Sequence, residues 1–189
     1  MYQRIYFQQV ADRLQEPRLR LQVIVGPRQV GKTTLMQQVM GVYAHPFDSY
    51  TADDVPNASQ QWLAQMWESA RMKMQVNHET ERLLVIDEIQ KIHNWSETVK
   101  AEWDRDTRDG RNLKVVLLGS SRTLILQGLT ESLAGRFELI RLPHWTLTEM
   151  HDAFGLTWQE YVYYGGFPGA MPYVKDYIRW RQYVMPDTR

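Results

Sequence analysis

The chain is predicted to be an α/β protein of three layers, with helices covering both faces of a central sheet. Three observations predict it. First, short apolar runs (Leu19–Val25, Leu83–Ile86 and Leu113–Leu118) alternate with stretches of helical periodicity. Such unbroken apolar runs suit strands buried on both faces. Second, Gly26-Pro27-Arg28-Gln29-Val30-Gly31-Lys32-Thr33-Thr34 matches the phosphate-binding pattern G-x-x-x-x-G-K-[ST] at every specified position, and it lies between a strand and a helix. Third, Asp87-Glu88 stands at the end of an apolar strand, where two carboxylates need a cationic partner.

The glycine loop carries a definite chemistry. Gly26 and Gly31 are expected to supply backbone angles with positive φ and close approach to a ligand. The loop's N–H groups then form an anion-binding concavity, and the helix starting near Lys32 adds its positive end. Lys32 is expected to reach the β- and γ-phosphates and Thr33 to coordinate Mg²⁺. A chance match at the four constrained positions occurs in on the order of 1% of chains this long, so the motif outweighs coincidence.

Composition bounds the rest. The 189 residues suit one domain, or one domain with a small appendage. Lysine and arginine total 22, as do aspartate and glutamate, so no global electrostatic footprint marks nucleic acid or membrane as a partner. There is no cysteine, which excludes disulfides and thiolate metal sites and fits a reducing compartment. The start of the chain reads as no signal segment, and no apolar run approaches the ~18 residues that span a bilayer. The expectation is a soluble, cytoplasmic protein.

Taken in order, residues 2–14 read as a helix that Pro17 ends. Strand 19–25, the glycine loop and a helix to Met40 follow, with Gly41 placed to end that helix. Residues 42–56 suggest strand pieces interrupted by Pro46, then Asp53-Asp54 in a turn. A metal role for that pair is weighed against solvated turn carboxylates, and the turn is favoured. Residues 57–76 form an amphipathic helix with Trp62, Met66, Ala70 and Met74 at a spacing of four. In the strand that follows, Asp87 is expected to help hold Mg²⁺ and Glu88 to activate water. Asn94 and Glu97 read as a capping box for a helix running to Arg108.

Leu113–Ser121 is a further strand. Ligands sit beyond the carboxyl ends of strands in open α/β sheets, so Ser120 or Ser121 is placed to sense the γ-phosphate or the attacking water. The alternative is that they cap a helix at Arg122–Gln127. Arg136 is either a charge for the transition state, in cis or from a neighbouring subunit, or a surface arginine. Phe137–Leu142 makes a fifth strand closed by Pro143. Thr146 and Glu149 cap a short helix. Helices at Trp158–Tyr164 and Pro172–Val184 complete the chain. The five histidines show no metal-ligand spacing.

Taken together these pieces resemble the ATPase module of a prokaryotic AAA-type family within the P-loop NTPases. The resemblance rests on Gly26–Thr34, on Val85-Ile86-Asp87-Glu88-Ile89-Gln90 followed by Trp95, on Leu118-Gly119-Ser120-Ser121, on Ser132-Leu133-Ala134-Gly135-Arg136 and on Gly165-Gly166-Phe167-Pro168. It covers about residues 19 to 170. It implies a five-stranded parallel sheet in an αβα sandwich, with the serine-bearing strand between the loop strand and the Asp-Glu strand. It also implies ATP and Mg²⁺ as ligands, the roles of Lys32, Thr33, Asp87, Glu88 and Ser120 given above, and a Gly-Arg motif at Arg136. Residues 1–147 would be the ATPase core and 148–189 a small helical lid. Members usually continue into a nuclease-like C-terminal domain. This chain ends at Arg189, about where that domain would begin, so it is either trimmed or naturally short.

The function expected is ATP hydrolysis with an output that the sequence does not name. A nucleotide-gated switch or scaffold with little turnover is the alternative. A small-molecule kinase is disfavoured because Glu88 next to Asp87 suits water and no acceptor pocket is readable. ATP and ADP are the expected ligands, a homo-oligomer is a possible assembly, and no membrane contact is foreseen. Whether nucleic acid or another protein is a partner is not readable from the residues.

Overall fold

Five short strands pair in parallel in the order β2-β3-β4-β1-β5. They are β1 (Leu21–Val25), β2 (Phe47–Thr51), β3 (Arg82–Asp87), β4 (Leu113–Gly119) and β5 (Phe137–Arg141). The computed structural model describes residues 2–56, 58–120 and 132–185. The three inner strands are buried along their whole length, as expected of strands covered on both faces. The edge strands β2 and β5 are only partly buried. As the resemblance implied, the serine-bearing β4 lies between β1 and β3.

The pleat sends alternate residues to opposite faces, and each face has its own core. One core joins Leu21, Val23, Leu84, Ile86, Val115 and Leu117 to helices α3 (Gln60–Val76) and α4 (Trp95–Arg108). The other joins Ile24, Leu83, Val85, Val116 and Ile140 to α1 (Tyr6–Gln15) and α2 (Lys32–Met40). This is the three-layer sandwich predicted. The C-terminal segment contains α5 (Leu147–Phe154), α6 (Trp158–Tyr164) and α7 (Tyr177–Val184). A smaller cluster of Trp145, Met150 and Leu156 ties it to Tyr2. Among the described residues no helix is long and apolar enough to cross a membrane.

Several local expectations change. α1 starts at Tyr6: residues 2–4 form no regular element, Ile5 is a turn residue, and Arg4 is buried. Residues 42–44 form no strand; only Phe47–Thr51 pairs with β3. On α3 the fully buried face is Leu63, Trp67, Ala70, Arg71 and Met74, so the Trp62–Met66 stripe is its flank. The capping box at Asn94 is absent: Asn94 sits in the left-handed region with no side-chain bond, and Glu97 accepts instead from Ser132. The last predicted helix splits. Pro168–Tyr173 is a 3-10 turn containing Pro172, which lacks a donor, and Asp176 caps the separate α7 by accepting from the Arg179 N–H. The predicted cap at Thr146 and the end at Gly165 are found as expected. The helix expected at Arg122–Gln127 lies outside the described residues.

Candidate functional site: a phosphate loop facing two carboxylates

The parallel sheet brings the ends of β1, β3 and β4 side by side, and the candidate site stands there. A cleft of about 520 Å³ opens above them. Arg28, Gln29, Gly31, Lys32, Thr33 and Thr34 form one wall, with Asp53, Glu88 and Lys91 opposite.

Two glycines shape the loop for different reasons. Gly31 has φ 90°, the left-handed conformation that favours glycine, and it directly precedes α2. Gly26 does not have positive φ, contrary to expectation. It is needed for close approach: a Cβ there would stand 2.3 Å from the Leu142 carbonyl oxygen. That approach follows from the sheet, where Leu142 N–H donates to Val25 O at 2.8 Å. Gln29, with φ 63°, is the loop's strained non-glycine residue.

Within the loop, the side chains divide between ligand cleft and scaffold. Val30 is buried in the α1–α2 core, so its side chain is an anchor. Its carbonyl accepts from Arg4 Nη1 at 3.2 Å and from Trp145 Nε1 at 3.0 Å. Gly26 and Pro27 do not line the cleft; their carbonyls accept from Lys32 Nζ at 2.9 and 2.8 Å. The Lys32 ammonium is thus curled back on its own loop. Burial lowers its pKa, against the opposing pull of Glu88 and Asp87.

The two carboxylates meet the loop from β3. Thr33 Oγ1 donates to Asp87 Oδ2 at 2.6 Å, so hydroxyl and carboxylate form one hard-oxygen pair. Asp87 Oδ1 accepts from the Glu88 N–H at 2.7 Å. Glu88 itself has φ 53°, which turns the chain sharply off the strand. Ser120 Oγ, from the end of β4, donates to Glu88 Oε2 at 2.8 Å. Thr33, Asp87, Glu88 and Ser120 are therefore one hydrogen-bonded line, in which Thr33 and Glu88 line the cleft. Ser121 lies outside the described residues.

Arg136 is not part of this arrangement. Its carbonyl accepts from the Leu21 N–H at the start of β1, the opposite end of the sheet from the loop. A five-residue strand separates the two by about 17 Å. The guanidinium instead grips Asp104 at 2.8 and 2.9 Å. A role in cis, one of the sequence expectations, does not fit this position.

Three contributors, Arg4, Lys91 and Gln90, escaped the sequence reading, as did the second role of Glu149, read there as a helix cap. Arg4 and Glu149 form a buried ion pair at 2.8 Å that clasps the loop through Val30. The partners stand 145 positions apart, and no local pattern announces them. Lys91 pairs with Asp53 at the cleft rim, which gives that aspartate a cation partner beside the phosphate loop. Gln90 was visible in Asp87-Glu88-Ile89-Gln90 but had no role, although it donates to both Glu88 and Ser120.

Comparisons with known proteins agree with this geometry. A solved structure of a RuvB variant from Thermotoga maritima is similar over 78% of this chain, with a TM-score of 0.52 and 20% identity. This chain spans 45% of that structure, and the likeness is one of fold. A search of curated proteins finds no match. The family model AAA_14, described as an AAA domain, matches residues 19–151, from before β1 into α5. The chain therefore belongs to this AAA-domain family of P-loop, nucleotide-binding ATPase-type proteins.

Proposed function

We propose that the protein binds Mg·ATP in the cleft and hydrolyses the β–γ bond. The observation that carries this is the continuous Thr33–Asp87–Glu88–Ser120 hydrogen-bonded line that starts beside Lys32 on the loop wall of the cleft and reaches Glu88 on the opposite wall. Lys32 would exchange its bonds to the Gly26 and Pro27 carbonyls for phosphate oxygens, and Gly31 to Thr34 would add backbone N–H groups. Thr33 and Asp87 would hold Mg²⁺, their oxygen donors being those this ion prefers. The ion, when bound, supplies positive charge against the phosphate oxygens.

Glu88 would take a proton from a water as that water attacks the γ-phosphorus, and the bond to the β-phosphate oxygen breaks to release ADP. The proton then passes from Glu88 to the phosphate product. Ser120 would turn its hydroxyl from Glu88 to donate to the γ-phosphate. Arg136 would serve a nucleotide bound to a neighbouring copy, since its own chain's cleft is out of reach. The cysteine-free sequence supports a cytoplasmic setting. The test is phosphate release at saturating ATP, with and without magnesium. Magnesium-dependent turnover that Lys32→Ala abolishes is expected; wild-type binding without turnover contradicts the hydrolase reading.

One observation favours a second reading, a nucleotide-gated switch. Tyr183 of α7 donates to Gln29 Oε1 at 3.2 Å, so the C-terminal segment touches the phosphate loop directly. Residues from 148 onward would then act as a lid whose position reports the nucleotide. Slow turnover with nucleotide-dependent proteolysis of this segment is the result that favours the switch.

A further inference from the structure

We infer that Gln90 is a positioning residue for hydrolysis, fixing the Glu88 carboxylate by one oxygen and leaving the other to the cleft. The inference rests on Glu88 acting as the base. Glu88 in the left-handed region reverses the chain, and the 3-10 turn Ile89–Lys91 brings the Gln90 amide back to the carboxylate two residues before it. Gln90 Nε2 donates to Glu88 Oε2 and, at 3.1 Å, to Ser120 Oγ. Ser120 donates in turn to the same Glu88 oxygen at 2.8 Å. Among the described residues Glu88 Oε1 has no hydrogen bond, and Glu88 lines the cleft.

The direction of these bonds gives Gln90 two tasks. An amide N–H on the Ser120 oxygen leaves the hydroxyl proton pointing away, toward Glu88 or toward a phosphate. When a γ-phosphate takes that proton, Gln90 is the donor that still holds Glu88 in place. A second observation points the same way. Among the described residues Gln90 Oε1 is buried with no partner. An orphaned buried acceptor is unfavourable, and an apolar side chain of similar length would avoid it. The amide N–H groups are what the position retains in exchange.

The experiment measures steady-state ATP turnover and nucleotide affinity for wild type, Gln90→Met, Gln90→Leu, Glu88→Gln and the double variant Gln90→Met/Glu88→Gln. The expected result is kcat about 10–100-fold lower in both Gln90 variants, with KM and affinity within about twofold. In the Glu88→Gln background the second substitution is expected to add no more than about twofold, the part carried by Ser120, because Gln90 acts chiefly through Glu88. A crystal structure of nucleotide-free Gln90→Met is expected to show the Glu88 side chain spread over more than one rotamer. Unchanged or raised kcat in the folded Gln90 variants overturns the inference while leaving the hydrolase reading intact. So does a full further loss in the Glu88→Gln background, or an unmoved Glu88 side chain. A wild-type protein that binds nucleotide without turnover overturns both readings together.

Discussion

The two ends of the sheet treat charge in opposite ways. At the N-terminal ends of the strands, charged groups saturate one another. Arg82 bridges Asp48 and Glu79, Lys114 bridges Glu81 and the Leu14 carbonyl, and Arg71 binds Asp106 and Glu102 while Trp67 donates to the same Asp106. At the C-terminal ends, among the described residues, Lys32 is satisfied only by the carbonyls of its own loop and Glu88 has one oxygen free. The non-glycine loop residue Gln29 and the carboxylate Glu88 there also occupy the left-handed region. One end is closed as scaffold; the other holds bonds that a ligand can replace. The difference teaches where to look for chemistry: not where charges are densest, but where their partners are exchangeable.

The largest expected effect breaks the comparison from the scaffold end. Arg71→Ala takes the close cation from the fully buried Asp106, leaving it the Trp67 N–H and Arg111 at 3.6 Å, and is expected to cost about 3 kcal/mol in urea unfolding. Nucleotide affinity per folded molecule should stay the same. Lys32→Ala should do the reverse, abolishing affinity with a small change in stability. Equal stability losses at the two positions would erase the distinction.

The next effect sharpens the place of Arg136. It sits at the scaffold end of its own chain, so any catalytic contribution must come from a second copy. Turnover per subunit should then rise with protein concentration, and mixing Arg136→Ala with Lys32→Ala should restore part of the activity. No recovery in a mixed oligomer demonstrated by mass measurement assigns Arg136 to its Asp104 pair alone.

A smaller effect concerns acid. Burial raises Asp48, Glu81 and Glu149, but hydrogen bonds from Arg82 and Lys73, from Lys114 and Tyr43, and from Arg4 and Thr146 outweigh it and hold all three low. A carboxylate with a lowered native pKa adds stability above its unfolded value, and that stability is lost as pH falls through the native one. The protein should therefore lose stability steadily below about pH 4, the ordinary carboxylate range. Glu149→Gln should flatten that slope in denaturant titrations between neutral pH and pH 3. An unchanged slope would remove Glu149 from the account.

Much of this was legible in the residues because the signals were local. The run Gly26–Thr34, the apolar strand before Asp87, and Thr146 with Glu149 each declare themselves within a few positions. Together they located the loop strand, the carboxylate strand, the loop wall of the cleft and Glu88 on the wall opposite. What was not legible depends on partners distant in sequence. Arg4 needs Glu149 and Val30; Gln90 needs Ser120, thirty positions on. Local patterns also misled where tertiary partners won. Glu97 completes a capping box on paper, yet Ser132 claims its carboxylate. Gly26 looked like a residue of positive φ, yet its constraint is the Leu142 backbone beside it.

In the proposed function the phosphate end of the sheet hydrolyses the nucleotide it binds, with Glu88 as base. The most direct measurement compares wild type with Glu88→Gln for bound nucleotide and for phosphate release under the same saturating Mg·ATP. With Glu88 as base, binding is expected to be equal and turnover lowered about 100-fold or more in the variant. Turnover within a few-fold of wild type would contradict it, and would move the base to another group of the cleft.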